Sequence, residues 1–238
     1  MLLRHSIDAM IMHWFNTICW ILLLMTGIGL VDNPVLQPLG MWWVRVMQAV
    51  FGDGASLLEF HIAVGTIWTL GFTVYGSIRF KRMTLPFVKE MLTFSPRTDI
   101  EWLIKKSLSM TLGPRMMQRF GLETTIPDQG FYNVGQKLFG ICALFVSPVI
   151  AISGWTMTFS KQDWMDPVWV QWSILIHFIF AGLMLAGLLI HIYMATIAKG
   201  KTPALISMFS GYVPEAYARS HHRHWFETIR SRQTDPEQ

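Results

Sequence analysis

Residues 172–195 read WSILIHFIFAGLMLAGLLIHIYMA, an uncharged apolar run that nonetheless carries two imidazoles, His177 and His191. The run is long enough to cross a ~30 Å hydrocarbon core, which takes ~20 helical residues. An imidazole placed in hydrocarbon without a partner is costly, so intramembrane histidines face a bundle interior and serve a purpose there. The fourteen-step separation of the two rings in sequence amounts to ~21 Å along a helix and a turn of only ~40° around it. The pair shares one helix face at two depths.

Three more runs of the same kind occur, at 10–31, 57–78 and 138–159, and the fourth spans 173–198. Hydrophobic residues make up 52% of the 238 and charged residues 14%, against roughly 25% charged in soluble domains. The fold class is therefore an all-α membrane protein, a four-helix transmembrane bundle read as one integral-membrane domain over residues 1–238. The first run reads as a retained span, since a lone Arg4 precedes it, His13 lies inside it and no small-residue cleavage pattern follows. Cys19 and Cys142 both fall in apolar runs and form no CxxC motif, so they read as core residues.

Orientation follows from the basic residues. Seventeen of the nineteen lie before the first run, between the second and third (79–137), or after the fourth (199–238); only Arg45 and Lys161 lie elsewhere. The positive-inside rule puts that side and both termini in the cytoplasm. The basic balance is then a topology signal, which leaves no role for nucleic acid. Trp42, Trp43, Trp164, Trp169 and Trp172 gather on the opposite side as an interfacial aromatic belt.

The outer connections are short and turn-rich, with DNPVLQPLG at 32–40, GDG at 52–54 and KQDWMDP at 161–167. The cytoplasmic connection contains a short amphipathic helix, opened by a Thr98/Glu101 capping box and closed by Gly113-Pro114. Lys105 and Lys106 on its polar face would lie against lipid headgroups. The tail ARSHHRHWFETIRSRQ reads as a further interfacial helix, because His221, His222 and His224 lack the i, i+4 spacing of a paired metal site.

His13 near the start of the first run and His61 near the start of the second supply partners for the opening pair. With alternating topology His13 shares the depth of His191, and His61 that of His177. Histidines used only as interhelical glue would not sort in this way. Two bis-histidine haem irons explain the arrangement. Zinc is poorly supported, because each depth offers two ligands and Glu59, at i, i+2 from His61, points to another face. Gly27, Gly29, Gly65, Gly71, Gly76, Gly154, Gly182 and Gly187 admit either a flat porphyrin or close helix packing. Ser147-Pro148 predicts a kink in the third span.

The stretches AMIMHWFNTICWILLLMTGI, LEFHIAVG, YNVGQK, SILIHFIFAG, LLIHIYMA and HHRHWFETI, taken in order, closely resemble the cytochrome b (gamma) subunits of membrane-bound respiratory formate dehydrogenases. Cytochrome b subunits of NiFe hydrogenases are more distantly similar. The resemblance implies two haem b groups, ligated by His13 and His191 on the cytoplasmic side and by His61 and His177 on the periplasmic side. It implies as partners an iron-sulfur (beta) subunit and a molybdenum or tungsten formate dehydrogenase (alpha) subunit, with the heterotrimer able to assemble further. It also implies delivery of electrons to a quinone, menaquinone or ubiquinone, at YNVGQK, with Asn133, Gly135, Gln136 and His191 around the ring. The connection at 109–130 is longer here than in that family. For YNVGQK the plainer reading is a helix start, with Asn133 as cap and Lys137 reaching the headgroups. The alternative functions are the equivalent subunit of a hydrogenase or other periplasmic reductase and, from a different class, a haem-free transporter or scaffold.

Overall fold

The structure is a computed structural model that describes residues 1–160, 162 and 165–234. Lys161 and Trp164, named above for topology and for the aromatic belt, lie outside the described residues. The chain divides into two compact units, Ser6–Thr84 with Ala143–Ile190, and Met1–His5 with Leu85–Cys142 and His191–Gln238.

The first unit is built on long apolar helices. Helix α1 (Ile7–Gly29) starts where the Ser6 hydroxyl accepts the Ala9 N–H. Asp8 adds negative charge to the first turn, where the helix dipole favours it, and pairs with Arg79 at 3.2 Å. At the other end the Gln37 amide, nearly fully buried, donates to the carbonyls of Ile28 and Val31 at 2.7 and 3.0 Å. It thereby satisfies acceptors that a helix terminus leaves open. Helix α2 (Met41–Phe51) lies between Gly40 and Gly52, whose φ values of +81° and +92° favour glycine. Its Val44 and Met47 are buried, and Trp43 donates to the Met25 carbonyl at 3.0 Å. A short, turn-rich connection is expected here; the buried i, i+3 pair Val44 and Met47 makes its middle a helix. Helix α3 (Gly54–Ile78) is opened by Asp53, which accepts the Ser56 N–H at 2.7 Å. It packs directly on α1, with Trp20 edge-on to Trp68 and the Trp68 indole N–H on the Asn16 amide oxygen at 2.8 Å. A π-turn, Phe80–Thr84, follows.

The second unit contains helices α4 (Leu85–Leu92), α5 (Pro96–Thr111) and α6 (Gly113–Arg119). The capping box expected at Thr98 and Glu101 is not the start of α5. Ser95 is the cap residue, its N–H bonded to the Asp99 carboxylate at 2.8 Å, and Pro96 takes the first helical position, where its missing N–H costs nothing. Gly113, at φ +75°, does end the helix, and a new one begins there. Lys105 pairs with Glu101 at 2.7 Å and Glu123 at 2.5 Å. It is thus committed to acids of its own unit, and the lysine holds the Glu123 carboxyl below the usual carboxylate range.

Helices α7 (Val134–Thr158) and α8 (Pro167–Ile192) run through both units. Helix α7 is unbroken across Pro148. Helix α8 continues as a second π-turn, Tyr193–Ile197. Among the described residues four helices, α1, α3, α7 and α8 with its π-turn, are long and apolar enough to cross a membrane, and the protein is an all-α membrane protein. Each helix begins before its apolar run because polar caps precede the hydrophobic residues.

The tail is more divided than expected. Helix α9 (Thr202–Ser210) leads into a two-residue strand, Tyr212–Val213, which pairs antiparallel with Leu2–Leu3. Helices α10 (Glu215–His221) and α11 (Arg223–Thr234) follow, separated at His222. That ring is buried and its Nδ1–H donates to the Gly130 carbonyl at 2.9 Å, while His221 stacks on Tyr217 at 4.3 Å. These two histidines serve packing.

Candidate functional site

His61 on α3 and His177 on α8 approach with ring centres 6.4 Å apart and planes at 73°. Each ring is seated by a neighbouring helix through the same two-residue device, a hydroxyl followed by a glycine. On α1, Thr26 Oγ1 lies 2.8 Å from His61 Nδ1, and a Cβ on Gly27 would stand 3.2 Å from His61 Cε1. On α7, Ser153 Oγ lies 3.1 Å from His177 Nδ1, and a Cβ on Gly154 would stand 3.3 Å from His177 Cε1. The space left by Gly27 and Gly154 holds an imidazole edge, whereas the sequence left porphyrin and helix packing as the choices. Gly29 and Gly71 serve close packing, against Met47 and Phe15.

The hydrogen bonds fix the tautomer of both rings. Thr26 Oγ1 also lies 2.7 Å from the Leu22 carbonyl, and a carbonyl only accepts, so the single hydroxyl proton is spent there. The oxygen must then accept from His61 Nδ1–H. Ser153 Oγ donates to the Val149 carbonyl at 2.7 Å, and His177 Nδ1 lies 3.1 Å from the Ile150 carbonyl, so this nitrogen also carries its proton. Both Nε2 atoms are left as bare lone pairs, with no hydrogen-bond partner among the described residues.

This donor set would suit a metal shared by the two imidazoles. A metal–imidazole bond of about 2.0–2.1 Å, plus about 1.1 Å from nitrogen to ring centre on each side, separates such rings by roughly 6.3 Å. Neutral imidazoles with Nδ1–H engaged by the protein are the form that ligates metals.

The other two histidines fall in different units. His13 on α1 stands edge-on to Trp14 at 5.3 Å, and the Thr17 hydroxyl donates to its carbonyl at 2.8 Å. His191, at the end of α8, is stacked on Phe139 with ring centres 4.4 Å apart and planes at 13°.

YNVGQK opens α7 as a reciprocal capping box. Asn133 Oδ1 accepts the Gln136 N–H and Gln136 Oε1 accepts the Asn133 N–H, each at 3.0 Å. The box uses both side-chain oxygens and leaves both amide NH₂ groups uncommitted among the described residues. Gly135 is exposed. Lys137 donates to the Thr93 carbonyl at 2.9 Å, closing the end of α4, where the plainer reading sent it to the headgroups. The motif is anchored from both chain ends. Arg4 donates to the Phe131 carbonyl at 2.7 Å and lies over the Phe131 and Trp225 rings at 4.7 and 5.0 Å, a cation–π arrangement. Burial pushes the Tyr132 phenol up.

Thr26, Ser153, Ile150 and Phe139 were missed by the sequence reading. A hydroxyl-glycine pair at the depth of each histidine is the signal that would have found the first two. Residues 4–211 match the model of the prokaryotic cytochrome b561 family. The chain belongs to that family. Membership of a cytochrome b family implies haem b, which the neutral imidazoles of His61 and His177 would suit as donors. Among similar proteins of known name, the formate dehydrogenase cytochrome b556 subunit of Haemophilus influenzae is 25% identical over 228 residues, covering 94% of this chain and 82% of that one. The formate dehydrogenase cytochrome b556(fdo) subunit of Escherichia coli K12 is 24% identical over 232 residues, covering 96% and 93%. The nitrate-inducible formate dehydrogenase cytochrome b556(Fdn) subunit of the same strain is 27% identical over 220 residues, covering 91% and 86%.

Proposed function

We propose that this cytochrome b561-family chain is the dihaem membrane subunit of a formate dehydrogenase. In this reading it carries electrons from a periplasmic formate-oxidising module, through an iron-sulfur subunit, across the inner membrane to quinone. The observation that carries the reading is the opposed pair His61 and His177, with both Nε2 lone pairs free and a separation suited to one iron. His13 and His191 are assigned to a second haem on their matching depth in the sequence. Bound haem would supply one-electron chemistry; the protein would set its ligands, their burial and the hydrogen bonds made to them.

The electron exit is assigned to YNVGQK. The capping box leaves the Asn133 and Gln136 amide groups as donors for a quinone carbonyl, and exposed Gly135 lets a ring approach the backbone. His191, ligand of the second haem in this reading, is the fourth residue of the quinone site. The distribution of basic residues supports a cytoplasmic position for this end and both termini, where water can supply the protons that quinone reduction consumes. The names of the similar proteins favour formate as the donor.

Isolation of the chain with its native partners tests the donor. The copurified complex should oxidise formate, and formate should reduce its haem, seen as growth of the ferrous α-band. A complex whose haem is reduced by hydrogen and not by formate would replace the formate reading with the hydrogenase one.

A further inference from the structure

The two neighbouring rings are not held alike. His61 Nδ1–H has one acceptor, the Thr26 hydroxyl at 2.8 Å. His177 Nδ1–H is shared between two, the Ser153 hydroxyl and the Ile150 carbonyl, both at 3.1 Å. Both hydroxyls are polarised alike, Thr26 giving its proton to the Leu22 carbonyl and Ser153 to the Val149 carbonyl, each at 2.7 Å, and a hydroxyl that donates accepts more strongly, so the shorter, unshared bond at Thr26 is what distinguishes the two rings. A donor bond from Nδ1–H moves electron density onto the ring and makes Nε2 a more basic ligand. A more basic axial ligand stabilises ferric over ferrous iron and so lowers the potential.

We propose that Thr26 is the residue that sets the potential of the haem held by His61 and His177, with Ser153 a weaker contributor because Ile150 duplicates its role. Both are positioning residues that act through the imidazoles. The inference rests on the ligation reading given above. The competing account is that each hydroxyl only satisfies a backbone carbonyl of its own helix, as serine and threonine in membrane helices commonly do. On that account their loss changes helix geometry or stability and leaves the potential alone.

The test is a redox titration of the haems in the intact, membrane-embedded complex, with ferric low-spin EPR as a second readout. Thr26→Val keeps the shape and removes the acceptor. It should raise the midpoint potential of one haem by about 59 mV, equivalent to a tenfold change in ferric-over-ferrous preference for one electron, and leave the other haem unchanged. Ser153→Ala should raise the potential of the same haem by less, and Thr26→Ser, which restores the hydroxyl, should return it to the wild-type value. The inference is overturned if Thr26→Val keeps its haem at the wild-type potential, if the other haem moves instead, or if Ser153→Ala shifts the potential as much as Thr26→Val. Should Thr26→Val fail to assemble, Thr26→Ala, which also removes the acceptor, takes its place in the same titration, and an unchanged potential there contradicts the proposal. Failure of the ligation reading looks different: His61→Ala would then retain full haem content.

Discussion

Asn133 shows how one side chain can hold a helix start and a binding donor at once. Its oxygen is committed to the Gln136 N–H, so replacement by leucine would remove the cap, at about 1 kcal/mol, and blur any effect on quinone. Asn133→Asp and Gln136→Glu separate the two roles. Both keep the accepting oxygen, both place negative charge at a helix N-terminus where it is favoured, and both lose the amide donors. Each variant should keep its haem and its reduction by the partner enzyme while haem reoxidation by quinone slows about tenfold, the effect of one lost hydrogen bond of ~1.4 kcal/mol in the bound state. Stopped-flow reoxidation in proteoliposomes measures this. Wild-type rates in both would leave YNVGQK as a capping box alone. The four intramembrane histidines were legible in the sequence because an imidazole stands out in an apolar run. Thr26 and Ser153 were not, since a hydroxyl in a membrane helix is ordinary and its direction is settled only by which helix packs beside it.

The tail helices depend on one buried ring. Burial, and then the positive charge of Arg4, hold His222 down at about 3, so the docked ring is neutral and donates to Gly130. In a detached tail the ring would titrate near 6.5. Above that pH neither state binds the proton and the contact contributes fully; as pH falls from about 6.5 toward 3, only the detached tail takes up the proton, and stability is lost. At pH 5 the loss is roughly 2 kcal/mol. Hydrogen exchange or limited proteolysis of α10 and α11 should therefore accelerate between pH 7 and pH 5, and His222→Gln, which has a donor but no titration in this range, should flatten the dependence. A pH-independent tail in the wild type would contradict this role for His222. At the scale of elements the spans were legible from hydropathy to within a few residues, while their starts at Ser6 and Asp53 were set by polar caps outside the apolar runs. Helix α2 was hidden by its proline- and glycine-rich flanks. The pairing of Leu2–Leu3 with Tyr212–Val213 joins two short segments far apart in the chain, and no local pattern announces such a contact.

For the whole molecule, cytochrome b561 family membership and an all-α membrane fold carry a proposed electron path. The described geometry bears on the pair His61 and His177; the pair His13 and His191 rests on the spacing of histidines along four spans, and the direction of flow on the placement of basic residues. What the path requires above all is two haems in one chain. Pyridine haemochrome assay of the purified wild-type complex, normalised to this chain by quantitative amino-acid analysis, measures that ratio directly. The account predicts two haem b per chain, falling to one in His61→Ala or His177→Ala and to the other one in His13→Ala or His191→Ala. A wild-type ratio of one or none, or two haems retained in any of the four variants, would contradict it.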